Sequence, residues 1–214
     1  MPIHLGRYLL GSWLLAAAGS SYGQAVVAPL PPISAARLIC WQESRPLTWA
    51  DFQAKEFPKS ARSNPALIGA LSATTSYLTP NTAATNGPAY LVYAIFIPDS
   101  SWVNTKRIRT AAERAATLAH EQIHFDLSEL TARKLRQRLA QGTRAGENLD
   151  GPIVRQDVGR IQAEENTLND AFDQQVVRVG GHRFEAPVLK RWQQRIAQEL
   201  RTLAAYKSTA AMCP

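Results

Sequence analysis

Only two cysteines occur in the 214 residues, Cys40 and Cys213, so a framework of several disulfides is excluded and one bridge is the most that can form. Long apolar runs are equally scarce. The longest, Leu9 to Ala18, is too short to span a bilayer, and no later segment approaches about 18 uninterrupted apolar residues, which argues against stable membrane insertion of the mature chain. Internal repeats and low-complexity segments are absent, which excludes solenoid and fibrous architectures. Aromatic interleaving of the basic residues is also missing. Arg133, Lys134, Arg136 and Arg138, or Lys190, Arg191 and Arg195, are scattered along helix faces, so the net charge of +7 reads as solvated surface and nucleic acid is not expected as a partner.

What is present begins with an address. Arg7, the apolar run, and the small residues Gly19 to Gly23 follow the order of a secretory signal peptide, expected to be cleaved after Gly23 or Ala25. That places the mature protein outside the cytoplasm, in a bacterial periplasm or the medium. An oxidising compartment permits Cys40 and Cys213 to pair, and closing so long a loop contributes on the order of 4 kcal/mol where geometry allows.

The chain divides into the signal peptide (1–23), an extended leader with Pro29, Pro31 and Pro32 (24–36), and one domain (37–214). Strand signals come first: Leu38 to Trp41, Ala66 to Leu78, and Ala89 to Ile97, the last two joined by a turn-rich connection that predicts an antiparallel hairpin. Residues 107 to about 140 lack Gly and Pro and are rich in helix formers, with Gly142 as the expected stop. A second helix starts at Pro152 with Val154, Val158, Ile161, Leu168 and Phe172 on one stripe. A third follows Pro187 with Leu189, Trp192, Ile196, Leu200 and Leu203. Strands followed by helices predict an α+β domain, its helices laid on one face of a small antiparallel sheet.

The first long helix carries HEQIH, residues 120–124. Helical geometry puts His120 and His124 about 40° apart and one turn apart along the axis, close enough to share one ion. Glu121 is rotated away from coordination and can reach a water on that ion as general base. Shuffling this composition yields about 0.003 such patterns per chain, so chance is a weak explanation. Asp126 and Glu129 are rotated roughly 200° and 140° from His124 and face elsewhere; Glu129 can pair with Arg133 at i,i+4.

A catalytic zinc needs three protein ligands and one open position. Two candidates stand for the third. His182, the one other histidine of the mature chain, follows Gly180-Gly181, a flexible approach. Glu165 falls on the apolar stripe of the second helix, where a carboxylate needs a partner. Tyr90, Tyr93, Tyr206 and Arg133 are candidate donors to a developing oxyanion. The strand at 89–97 is a candidate edge for an added substrate strand.

Three stretches, PLTWADFQAK (46–55), IPDSSWV (97–103) and LAHEQIHFDLSELTARKLRQRL (118–139), resemble the bacterial DUF922 family, described as secreted zinc-dependent proteases. Members also carry Tyr-Asp, a nearby Thr, a His, and a Trp ten residues after that His. Here Phe172-Asp173 stands for the pair and His182 to Trp192 keeps the spacing, whereas Val176 replaces the Thr and extra residues separate Asp173 from His182. The resemblance implies a zincin-like fold, a peptide or protein substrate, and His182 as third ligand beside His120 and His124.

The combined expectation is a zinc metallopeptidase with one Zn²⁺ per chain on His120, His124 and His182, and Glu121 as base. The competing expectation is a non-catalytic envelope protein that zinc merely stabilises, for which a closed fourth ligand such as Glu165 would be needed.

Overall fold

The computed structural model describes residues 38–59, 68–81, 88–176 and 186–209. The signal peptide, the leader, His182 and Cys213 lie outside them. Among the described residues, five strands precede three helices: β1 (Ile39–Cys40), β2 (Ala70–Leu71), β3 (Thr74–Pro80), β4 (Tyr90–Phe96), β5 (Trp102–Val103), α1 (Ala111–Arg144), α2 (Pro152–Val176) and α3 (Ala186–Thr202). The protein is therefore mixed α+β, with helices packed over a small antiparallel sheet.

β4 is the central strand. It pairs with β3 from Thr74 opposite Phe96 to Pro80 opposite Tyr90, and with β1 through Ile39 opposite Phe96 and Cys40 opposite Ile95. Beyond β1 the same edge is filled by other donors, since Trp41 N–H donates to the Ala94 carbonyl at 3.0 Å and Arg136 Nε to the Val92 carbonyl at 2.9 Å. The expected added substrate strand on β4 is thus corrected, because both of its edges are in use. Alternation along β4 sends Val92, Ala94 and Phe96 into the main core and Tyr93 and Ile95 into a second cluster with Cys40. Cys40 is disulfide-bonded.

The strand expected over 66–78 breaks at Ser72 and Ala73. Their amides donate to Glu121 Oε2 and Ser101 Oγ, each at 2.9 Å, so this backbone leaves the ladder to meet side chains. β2 pairs instead with β5, a short strand the sequence pattern did not reveal.

α1 starts four residues later than expected, at a capping box in which Thr110 and Glu113 satisfy each other's backbone amides. It also runs through Gly142 instead of stopping there. Leu149 and Arg138 crowd that glycine, and the left-handed residue that ends the turn is Gly146, at φ 68°. Every residue from Leu127 to Arg133 is buried, because α1 packs against β3 and β4 on one side and α2 and α3 on the others. A helix enclosed all round is the core of the fold. The apolar stripes of α2 and α3 meet it with Val154, Ile161 and Phe172, and with Leu189, Trp192, Ile196 and Leu200.

Candidate metal centre

The two histidines of HEQIH lie on the α2 side of α1, with their Nε2 atoms 3.1 Å apart. Asp173, in the last turn of α2, brings Oδ1 to 3.1 Å from His120 Nε2 and 3.2 Å from His124 Nε2. Three donor atoms from two helices therefore form a nearly equilateral triangle, the group among the described residues best placed to hold a metal ion. Tetrahedral zinc ligands at 2.0–2.1 Å from the ion stand about 3.3–3.4 Å from one another, so these separations fit a tetrahedral face within a few tenths of an ångström. The donor set, two imidazoles and one carboxylate, is also chemically suitable.

Phe172 builds the wall of this site. It is fully buried, stacks on His120 with ring centroids 4.6 Å apart, and meets His124 edge-on at 5.2 Å. Trp192 of α3 closes on Phe172 from behind at 5.4 Å, so all three helices fix the imidazoles. The Asp173 side chain is 53% exposed against 8% for His120 and 14% for His124, which leaves the cluster reachable from solvent on the α2 side.

Electrostatics bind the cluster together. Burial opposes a charged His124, but Asp173, the charge of Glu121 and the Asn169 side chain outweigh it and raise its pKa from 6.5 to about 9. Burial likewise opposes the Asp173 carboxylate, and hydrogen bonds and charge from both histidines hold it well below the usual carboxylate range instead. Asn169, one turn before Asp173 on α2, places its Oδ1 2.6 Å from His124 Nδ1 and donates from Nδ2 to the Glu165 carbonyl at 2.9 Å.

Glu121 is buried, 3% exposed, and accepts the Ser72 amide on Oε2. It points to the sheet side of the histidines, and its charge is felt at His124. Gln122 and Asp126 anchor the motif. Gln122 accepts the Leu47 amide at 2.7 Å, and Asp126 Oδ1 receives both Gln122 Nε2 at 2.8 Å and Trp41 Nε1 at 2.7 Å. The PLTWADF segment is thereby tied to the HEQIH helix.

The remaining candidates among the described residues are placed elsewhere. Glu165 lies apart from the cluster: its carboxylate is buried between Ser76 Oγ and Ser128 Oγ, both donating at 2.7 Å, two turns before Asp173 on α2. Glu129 is fully buried and paired with Arg133 as expected, with Arg136 and Ser208 as further donors. Of the oxyanion candidates, Arg133 is committed to Glu129 and to the Leu200 carbonyl, and Tyr90 donates to Asp150. Tyr93 packs with Tyr77 in the second cluster, and Tyr206 follows α3 where its carbonyl meets Arg136. Sequence reasoning noticed Asp173 without giving it a role and missed Asn169. The available signal was a row of polar residues at four-residue steps on α2, Glu165, Asn169 and Asp173, bordering its apolar stripe.

No family model, curated protein or solved structure matches the chain. Fold and site together define an α+β protein with a candidate two-histidine, one-carboxylate metal centre.

Proposed function

We propose that the protein is a secreted or periplasmic zinc-dependent hydrolase of peptide bonds, with His120, His124 and Asp173 as protein ligands and Glu121 as general base. The observation that carries the reading is the triangle of donor atoms, 3.1–3.2 Å on each side, built on a helix whose second motif residue is a buried glutamate. The likeness of its HEQIH segment to the DUF922 proteins supports the same chemistry. A zinc ion held there supplies Lewis-acid activation of water and of a substrate carbonyl. Glu121, oriented by the Ser72 amide, takes the proton from the attacking water and returns it to the leaving amine. Phe172 excludes water from the rear of the imidazoles, and the partly exposed side of Asp173 leaves room for a peptide to approach. The competing reading, a zinc site with a purely structural role, needs a closed fourth ligand. Glu165 faces Ser76 and Ser128 instead, two turns before Asp173 on α2, which favours the open site.

Glu121→Gln tests the proposal. Wild type should hold about one zinc per chain and cleave casein in a chelator-sensitive way, while the variant keeps its zinc and loses cleavage. If both bind zinc and neither cleaves any peptide offered, the structural reading replaces this one.

A further inference from the structure

α2 grips one imidazole from both ends. Asp173 Oδ1 faces His124 Nε2 at 3.2 Å, and Asn169 Oδ1, one turn earlier on the same helix, faces His124 Nδ1 at 2.6 Å. The orientation of the Asn169 amide is decided by its other contact. Its Nδ2 group donates to the Glu165 carbonyl at 2.9 Å, so the atom turned to His124 must be the oxygen, which can only accept. The proton of a neutral His124 is then on Nδ1, and the lone pair is on Nε2, facing His120 and Asp173.

We propose that Asn169 is a positioning residue of the metal centre, holding His124 in the tautomer and ring orientation that a metal ion requires. The inference rests on His120, His124 and Asp173 being the ligands. Metal-bound imidazoles generally need such a partner at the far nitrogen, and losing it weakens binding while leaving the ligands in place. An amide has a specific advantage here. It supplies the acceptor without adding a third carboxylate charge beside Asp173 and Glu121, whose charges already act on His124. Backbone support is also built in, because the carbonyl that orients Asn169 belongs to Glu165, itself locked between β3 and α1 by Ser76 and Ser128.

The test is a Co²⁺ titration of the metal-free protein followed by its visible ligand-field bands, with wild type, Asn169→Leu and Asn169→Asp in parallel. Asn169→Leu should bind Co²⁺ about 10–100-fold more weakly and with shifted bands, and Asn169→Asp, which keeps the acceptor but loses the donor to the Glu165 carbonyl, should fall between leucine and wild type. Thermal midpoints of the metal-free variants separate this from unfolding, and Asn169→Ala replaces the leucine variant if that one does not fold. Wild-type affinity and bands in Asn169→Leu would overturn the inference, as would an Asn169→Asp variant no better than leucine. If wild type itself binds no Co²⁺, the metal reading fails first, an outcome recognisable because Asn169 is then intact.

Discussion

Removing Asp173 is the perturbation that distinguishes a ligand from a mere counter-ion of two histidines. The three donor separations are 3.1, 3.1 and 3.2 Å, so no atom of the triangle stands apart from the other two. Zinc sites with four protein ligands bind with about 10–16 kcal/mol, on the order of 3 kcal/mol per ligand. Losing one ligand should therefore weaken affinity by about 10²-fold. Asp173→Ala removes the carboxylate from a side chain that is already half in solvent, so the fold should persist. The assay is competition for zinc against a chromophoric chelator, with circular dichroism confirming that the variant is folded, and with His182→Ala measured beside it. A drop near two decades in Asp173→Ala, with a small change in His182→Ala, supports the two-histidine, one-carboxylate set. Zinc affinity in Asp173→Ala within about threefold of wild type would refute the reasoning, since a lost ligand cannot be so cheap. A large loss in His182→Ala alone would return the third position to the histidine expected from the sequence.

Further outcomes concern the supports of the site. Glu129→Ala leaves Arg133 and Arg136 in the interior without their shared carboxylate, and breaking a buried pair in this way should cost about 3–5 kcal/mol in urea unfolding. A cost below 1 kcal/mol would mean that water takes over both guanidinium groups. Glu165 provides a pH dependence. Burial raises its carboxyl pKa above 4.5, against hydrogen bonds from Ser128, Ser76 and Thr131 that lower it. A raised folded-state pKa favours the folded protein below pH 4.5, and that contribution is lost as pH rises through the folded value. The melting temperature of Glu165→Gln relative to wild type, both metal-free, should therefore increase between pH 4 and pH 7. A difference that stays flat or decreases would show that the hydrogen bonds, and not burial, dominate.

Local periodicity determined a great deal by itself. Four-residue spacing on an unbroken helix is enough to bring His120 and His124 together, because both residues belong to one rigid element and no other part of the chain enters the geometry. The strand content of 89–97 and the stripes of α2 and α3 were legible for the same reason, as was the pairing of Glu129 with Arg133. Helix ends were less so: Gly142 and Gly146 both look like stops, and packing of Leu149 against the first left the second to take the left-handed turn. The third member of the described cluster was placed by tertiary structure alone. Glu165, Asn169 and Asp173 recur at four-residue steps on α2, roughly 6 Å apart along its axis, and the sequence pattern offers no choice among them. Which one reaches the Nε2 atoms of both histidines depends on how far α2 slides along α1 as Phe172 seats between His120 and Trp192. That axial register delivers Asp173 to the imidazoles and leaves Glu165 two turns away among Ser76 and Ser128. It is a property of two packed surfaces from distant segments, which no single stretch of sequence encodes.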